Sequence, residues 1–252
     1  AALSTALFAV FYLASWRSYI AHVQSPGGGW GWLILSFLLF AASVLSKSAG
    51  VTLPLLLIAT DYLFFRDRAV ALLKNKVFYL ALALWFGYKT FLTRAAEGHD
   101  VAVQTGIFDA ADRFLMVCQT LLFYPVKLLL PVGFTISYPF EKIGSGWHWT
   151  YYAAPVILAL LAGAVIWKGR RQRDLLFGLA LYLLPLAVML PFRTVGSFEL
   201  RSDRYVYISC IGLFFLAGLL LEKTNAAVRV AVTAGAGAVL GNPAVAGQRG
   251  NR

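Results

Sequence analysis

Long apolar runs alternate with short polar connections along the chain. A run that crosses a membrane must be helical, because hydrocarbon offers the backbone N–H and C=O groups no hydrogen-bonding partner. Some runs are shorter than the roughly 20 residues of a full crossing, and flanking Trp, Tyr, Lys or Arg side chains could reach the interface for them. The pattern predicts an all-α fold, a polytopic transmembrane helical bundle of about seven spans. The runs are Leu3–Ser15, Trp30–Leu45, Val51–Phe65, Val77–Thr93, Tyr151–Trp167, Leu175–Phe192 and Tyr205–Leu221.

The composition excludes a soluble enzyme. Of the 252 residues, 60% are hydrophobic and only 13% are charged, whereas a soluble domain carries roughly a quarter of its residues as charged side chains. The net charge is +11, from 22 basic and 11 acidic residues. In a membrane protein such an excess indicates cytoplasmic loops beside anionic lipid. We therefore expect membrane lipid as a partner and no nucleic acid.

Two short basic loops predict the orientation. Residues 66–76 and 168–174 each carry a net charge of +3, so both are predicted to be cytoplasmic. Two loops on the same side of the membrane must be separated by an even number of crossings. Two clear spans lie between these loops, and counting the apolar segment Phe114–Val132 as a third would make the number odd. Because Pro125 and Pro131 interrupt that segment, it is predicted to be a re-entrant or interfacial helix on the outer side. The expected location is the bacterial inner (plasma) membrane.

The two ends of the chain differ from its middle. Residues 1–225 form the predicted transmembrane domain, and residues 226–252 are predicted to be a weak final helix and a disordered tail. The chain begins at Ala1 with an apolar run that lacks the basic flank of a signal peptide. This beginning predicts that at least one element precedes Ala1 in the natural protein.

Several cations fall on the predicted outer face, where orientation rules place few. Arg presents a planar fork of donors, and nearby hydrocarbon lowers the dielectric, so such a cluster is suited to a lipid phosphate. The alternative is that these side chains reach lipid headgroups or pair with Glu199 and Asp203. The candidate substrate-binding residues are Lys47, Lys127, Arg201, Asp203, Arg204, Tyr205 and Tyr207.

The segment from Asp203 to Tyr207 places a carboxylate, a guanidinium and two aromatic rings at one membrane boundary, where they could bind a polar headgroup. It could equally be an ordinary capped helix start with an aromatic belt.

Asp61 lies inside an apolar run and is close enough in sequence to Arg66 for an ion pair at the end of a helix, which is the interpretation we favour for it. The three histidines have no metal-ligand spacing, so neither a metal nor a cofactor is expected.

Four stretches in order resemble a known family. They are Leu45–Pro54 leading to Asp61-Tyr62, Phe123–Pro139, Asp174–Pro191 and Ser202–Gly212. Together they are similar to the membrane region of the transmembrane and tetratricopeptide-repeat (TMTC-like) proteins, whose eukaryotic members are protein O-mannosyltransferases of the GT-C class. The resemblance covers about Leu3 to Leu221.

The resemblance implies a polytopic enzyme that takes a sugar from a polyprenyl-phosphate donor and glycosylates a hydroxyl on the outer face. In such enzymes an acidic residue of the first outer loop is the base and the lipid phosphate is the leaving group. The match begins where the second helix of the family begins, so the catalytic residue is expected to lie outside this chain, as is the repeat domain. The alternative is a non-catalytic integral-membrane subunit that packs against partner membrane subunits in a larger complex.

Overall fold

The computed structural model describes residues 2–25, 29–65, 73–96, 109–130, 138, 142–143, 146–169, 172–188, 190 and 206–222. These residues are almost entirely helical, which confirms the all-α class. The helices are α1 (Ala2–Gln24), α2 (Trp30–Ser46), α3 (Leu53–Phe64), α4 (Val77–Ala96), α5 (Ala110–Leu129), α6 (Trp149–Ala164), α7 (Arg173–Ala187) and α8 (Ser209–Glu222). Two 3₁₀ turns, Ser48–Thr52 and Lys74–Lys76, precede α3 and α4, and a π-helical turn, Val165–Gly169, continues α6. The strands β1 (Lys142–Ile143) and β2 (Gly146–Trp147) form a short antiparallel pair.

Helices α1 and α2 form an antiparallel hairpin that is held by small polar side chains. The Ser15 hydroxyl donates to the Ser36 carbonyl at 2.7 Å, and the Ser36 hydroxyl donates to the Ser15 carbonyl at 2.8 Å. Both serines are fully buried. Serine lets two helices approach closely and satisfies its own hydroxyl on the neighbouring backbone, which suits an interior with few other polar groups.

Helix α3 packs between the α1–α2 hairpin and α7. Pro54 lies in the first turn of α3, where its missing N–H has no intrahelical acceptor. At the other end of α3 the Phe64 ring meets the Phe177 ring of α7 at 5.1 Å, and Trp16 of α1 stacks on Phe177 at 5.6 Å. The end of α3 therefore lies beside the beginning of α7, and the two helices are antiparallel.

Helix α5 packs against α6 and also contacts the second half of α7. Near its start, Met116 packs with Tyr151, which is in the first turn of α6. Near its end, Tyr124 packs with Leu186, which is in the last turn of α7. The end of the bundle where α5 meets the second half of α7 is called the α5 end.

The helices differ in whether they are long and apolar enough to cross a membrane. Within the described ranges, one helical stretch, Trp149–Trp167, is long and apolar enough to span a membrane, and Trp30–Ser46, Ser48–Phe64 and Ser209–Glu222 are shorter apolar helices. The predicted seven spans are thus not confirmed. The chain divides into two compact units, Ala1–Leu213 and Phe214–Arg252. The described part of the second unit is the remainder of α8, and the predicted tail at 226–252 lies outside the described residues.

Candidate functional site

Lys47 is fixed where α2 gives way to the Ser48–Thr52 turn. Its backbone is extended, its N–H donates to the Ser43 carbonyl at 3.0 Å, and its carbonyl accepts from the Gly50 N–H at 3.0 Å. The ammonium group donates to the Thr5 hydroxyl at 3.1 Å and remains partly exposed. A Cβ on Gly50 would lie 3.0 Å from the backbone nitrogen of Val44, so the turn rests directly on α2. The sequence around Lys47 therefore builds a tight turn that holds one cation.

Lys127 lies near the end of α5, beside two aromatic rings. Its ammonium nitrogen is 5.0 Å from the centre of the Tyr138 ring and 5.8 Å from that of Phe123. These two rings meet edge to face at 4.8 Å. A cation over aromatic faces gains roughly 0.5–1 kcal/mol at an exposed site. The rings restrain the ammonium group of Lys127, which is also partly exposed.

The contacts place both lysines at the α5 end of the bundle. Helix α7 packs against α3 and against the Ser48–Thr52 turn. Because α3 and α7 are antiparallel, that turn and the preceding Lys47 lie beside the second half of α7. The same half of α7 contacts α5, since the Tyr182 hydroxyl donates to the Leu121 carbonyl at 2.7 Å.

Of the remaining predicted site residues, the structure describes Tyr207 and leaves the others outside its described ranges. Tyr207 is 61% exposed and follows Val206, which is buried in the cluster with Tyr124 and Leu186. Tyr207 therefore also lies at the α5 end. The predicted site residues Arg201, Asp203, Arg204 and Tyr205 lie outside the described residues, as does the Arg66 that was predicted to pair with Asp61.

The structure brings Lys76 and Tyr19 to Asp61, and the predicted partner, Arg66, lies outside the described residues. Asp61, Lys76 and Tyr19 form a cluster in which all three side chains are buried, with Asp61 and Lys76 each 1% exposed. The Lys76 ammonium group forms an ion pair with Asp61 Oδ2 and donates to the Tyr19 hydroxyl at 2.7 Å. The Tyr19 hydroxyl in turn donates to Asp61 Oδ2 at 2.7 Å. Lys76 was predicted to be a cytoplasmic loop cation and is instead part of the interior.

The buried cluster lies at the end of the bundle away from the α5 end. Asp61 is in the last turn of α3, close to Phe64, and Phe64 contacts the beginning of α7. Sequence reasoning missed Lys76 because nothing local distinguishes it from Lys74, which lies two residues earlier and is exposed. The one available signal was the position of Asp61 inside an apolar run, since such a charge requires a partner.

Comparisons with known proteins do not extend these findings. No protein family, curated protein or solved structure matches the chain. The likeness to the TMTC-like proteins therefore stays a prediction made from the sequence, and the residues at the α5 end are the basis on which a function can be proposed.

Proposed function

We propose that this chain is part of a GT-C-like membrane glycosyltransferase, which binds a polyprenyl-phosphate sugar donor and glycosylates a hydroxyl on the outer face. The supporting observation is that Lys47 and Lys127 lie at one end of the bundle, each restrained by neighbouring side chains. Val206, which directly follows Asp203-Arg204-Tyr205 in the sequence, is buried at the same end. A phosphate headgroup is the ligand that such a set of cations would best accommodate.

The proposed role of the cations is to stabilise the leaving group. Negative charge on the lipid phosphate grows as the sugar is transferred, so fixed donors stabilise the transition state more than the ground state. In this proposal Arg201 and Arg204 bind the phosphate with help from Lys47 and Lys127. Asp203 orients Arg204, and Tyr205 or Tyr207 contacts the lipid or the sugar.

The proposed membrane arrangement keeps about seven crossings, with α5 as the interfacial helix on the outer side. The contacts of α5 with the beginning of α6 and with the last turn of α7 support this placement. Trp149 and Trp167, which are 70% and 83% exposed, bracket the stretch that is long enough to span. Tryptophans in such positions are typical of the two interfaces of a bilayer.

Binding of a polyprenyl phosphate to the purified full chain tests the donor site. We expect the lipid phosphate to raise the Tm of the wild-type protein in detergent and the uncharged polyprenol to raise it much less. The Lys47→Ala/Lys127→Ala variant should lose most of that increase. Lys74→Ala is the matched control, because it removes one exposed cation from the other end. An equal Tm increase in all three proteins would contradict the proposed site.

The proposed orientation is tested separately by thiol labelling. Single cysteines replace Ser202 and Gln172 in a chain whose own Cys118 and Cys210 are replaced by alanine. In sealed vesicles of known sidedness, a membrane-impermeant maleimide on the outer side should label the cysteine at position 202 and not the one at 172. The reverse result would place the cation cluster on the cytoplasmic side and exclude an external glycosyl acceptor.

The exposed surface of α6 favours a second candidate function, a non-catalytic subunit of a membrane complex. On α6 the buried side chains are Tyr151 and Ala154, both near its beginning, and the remainder is partly or wholly exposed. Helices of partner subunits could cover this surface in place of lipid. Cross-linking from cysteines at Ile157 and Leu160 in the native membrane would distinguish the two, since a subunit should give one discrete heteromeric product and a lipid-facing helix none.

A further inference from the structure

Two aromatic rings lie beside Lys127 at the proposed donor site. Phe123 and Lys127 are four residues apart on α5 and therefore lie on the same face of that helix. The Tyr138 ring meets the Phe123 ring edge to face at 4.8 Å. The Lys127 ammonium nitrogen is 5.0 Å from the centre of the Tyr138 ring and 5.8 Å from that of Phe123. These three residues, which we call the Lys127 cluster, are all partly exposed.

The interior of the bundle anchors the Lys127 cluster. The Phe123 ring meets the Tyr124 ring edge to face at 5.4 Å. Tyr124 is 6% exposed and packs with Leu186 of α7 and with Val206. Phe123 therefore contacts a buried ring as well as Tyr138. Side chains that are already held in place lose little conformational entropy when a ligand packs on them, which favours binding.

A phosphate by itself does not account for the two rings. The face of an aromatic ring is negative and its edge positive, so a ring face attracts the Lys127 ammonium group and repels a phosphate. The ligand group that suits a ring face is a set of C–H bonds, which gain dispersion contact without bringing negative charge. A pyranose ring offers such a face, with hydroxyl groups around its rim. The Lys127 ammonium group has three donors, and hydroxyl oxygens can accept from them.

The chemistry of the donor places a sugar next to its phosphate. In a polyprenyl-phosphate sugar the anomeric carbon is bonded directly to a phosphate oxygen. A phosphate that is bound by Lys127 therefore brings the sugar close to the same ammonium group, and the rings of Tyr138 and Phe123 lie beside that group. An isoprenoid chain would also be near, but it has no group that accepts a hydrogen bond from Lys127. The combination of rings and ammonium group therefore favours the sugar.

We propose that the Lys127 cluster is the sugar-binding part of the donor site. The pyranose packs its C–H face on Tyr138 and Phe123, and its hydroxyl groups accept hydrogen bonds from Lys127. This inference rests on the proposed function, because it takes a glycosylated lipid phosphate as the ligand. It adds a position for the sugar and makes Tyr138 the residue that distinguishes a glycosylated lipid phosphate from a bare one.

Equilibrium binding to the full chain in detergent tests the inference. The probes are polyprenyl phosphate, polyprenyl-phosphate mannose and polyprenyl-phosphate glucose, all with the same isoprenoid chain. At least one of the two glycosylated lipids should bind the wild-type protein about tenfold more tightly than polyprenyl phosphate does. Tyr138→Leu should abolish that preference and leave the Kd for polyprenyl phosphate nearly unchanged, because Lys127 remains. Tyr138→Phe keeps the ring and should keep the preference.

A second pair of a lysine and an aromatic ring provides the matched control. The Lys89 ammonium nitrogen of α4 is 5.5 Å from the centre of the Trp85 ring. Trp85→Leu therefore removes a ring from beside a lysine outside the Lys127 cluster and should keep the wild-type preference. If Tyr138→Leu does not fold, Phe123→Leu replaces it with the same expectation.

The outcomes separate this inference from the proposed function. Equal binding of all three lipids to the wild-type protein would overturn the inference and leave the phosphate site standing. An equal weakening of all three by Tyr138→Leu would also overturn it, because the ring would then contact the isoprenoid chain or hold Lys127 and not recognise the sugar. If none of the three lipids binds, the proposed function fails and the inference fails with it.

Discussion

The two ends of the first unit hold their cations in opposite ways. At the α5 end, Lys47 and Lys127 contact a neutral hydroxyl and two aromatic rings and stay partly exposed. At the other end, Lys76 is 1% exposed and is paired with a carboxylate. A partly exposed cation keeps part of its hydration, whereas a buried one must be compensated by a counter-ion. The comparison separates two partly exposed candidate binding residues from a residue that organises the interior.

The largest expected effect comes from removing the buried cation. Lys76→Met leaves Asp61 ionised, buried and without its counter-ion, and should lower the free energy of unfolding by about 3–5 kcal/mol. The double variant Asp61→Leu/Lys76→Met should recover much of that loss, because it removes both charges. Denaturant-induced unfolding in detergent would measure both values, and a single variant as stable as the wild type would place Lys76 outside the interior.

The packing of α8 on α7 provides a smaller test at the α5 end. A Cβ on Gly212 would lie 2.5 Å from the backbone nitrogen of Tyr182 and 2.8 Å from the Gly178 carbonyl oxygen. Since backbone atoms cannot move aside as a flexible side chain can, Gly212→Ala should lower the free energy of unfolding by about 1–3 kcal/mol. Gly87→Ala is the control, because nothing lies within 4 Å of its Cβ position. Equal stability of the two variants would show that α8 does not approach α7 this closely.

The link between the beginnings of α5 and α6 should contribute less. The indole nitrogen of Trp147 donates to Asp112 Oδ1 at 2.6 Å, and its ring stacks on Tyr151 at 4.7 Å. Trp147→Phe retains an aromatic ring and removes the donor, which should lower the free energy of unfolding by about 1–2 kcal/mol. Trp149→Phe, at a side chain that is 70% exposed, should change it by less than about 0.5 kcal/mol. The same denaturation assay compares the two variants. A larger effect of Trp149→Phe would contradict the conclusion that Trp147 links α5 to α6.

The smallest effect is expected at the cation of the proposed donor site. Lys47→Met removes a partly exposed ammonium group that donates to the Thr5 hydroxyl. Water screens a charge at a partly exposed position, so the free energy of unfolding should fall by no more than about 1 kcal/mol. Lys47→Met and Lys76→Met make the same substitution at two lysines, so the difference between their stability losses directly compares a partly exposed lysine with a buried one. Equal losses of stability would mean that Lys47 is structural and would weaken the proposed donor site.

Much of the secondary structure was accessible from the sequence. The apolar run from Trp30 to Leu45 became α2 with nearly the same bounds, and the run from Tyr151 to Trp167 falls within α6 and its π-helical continuation. Such runs predict helices well because an apolar surface and internally satisfied backbone groups favour the same structure. The segment Phe114–Val132 was predicted to be helical despite Pro125, and α5 begins four residues earlier, at Ala110. Asp109 and Asp112 form a capping box that starts it there.

Only part of the candidate site could be predicted from the sequence. Lys47 and Lys127 were selected from their predicted position on one face, and the contacts of α5 and α7 place both at one end. No local pattern indicated that Thr5 would contact Lys47 or that Tyr138 would contact Lys127, because neither residue is an immediate sequence neighbour of its lysine. Sequence proximity suggested Arg66 as the partner of Asp61, and Arg66 lies outside the described residues, whereas Lys76 is brought near by the return of the chain into α4.

The order of polar and apolar residues was enough to determine that this protein is helical and apolar, since local hydrogen bonding and hydrophobic burial depend on neighbours along the chain. Tertiary structure decided which charged side chains are buried beside a counter-ion and which are exposed. Lys74 and Lys76 have the same side chain in almost the same sequence position, yet one is exposed and the other is buried against a carboxylate. The energy of a charge depends on its hydration and on the distance to its counter-ion, and the packing of α1, α3 and α4 determines both.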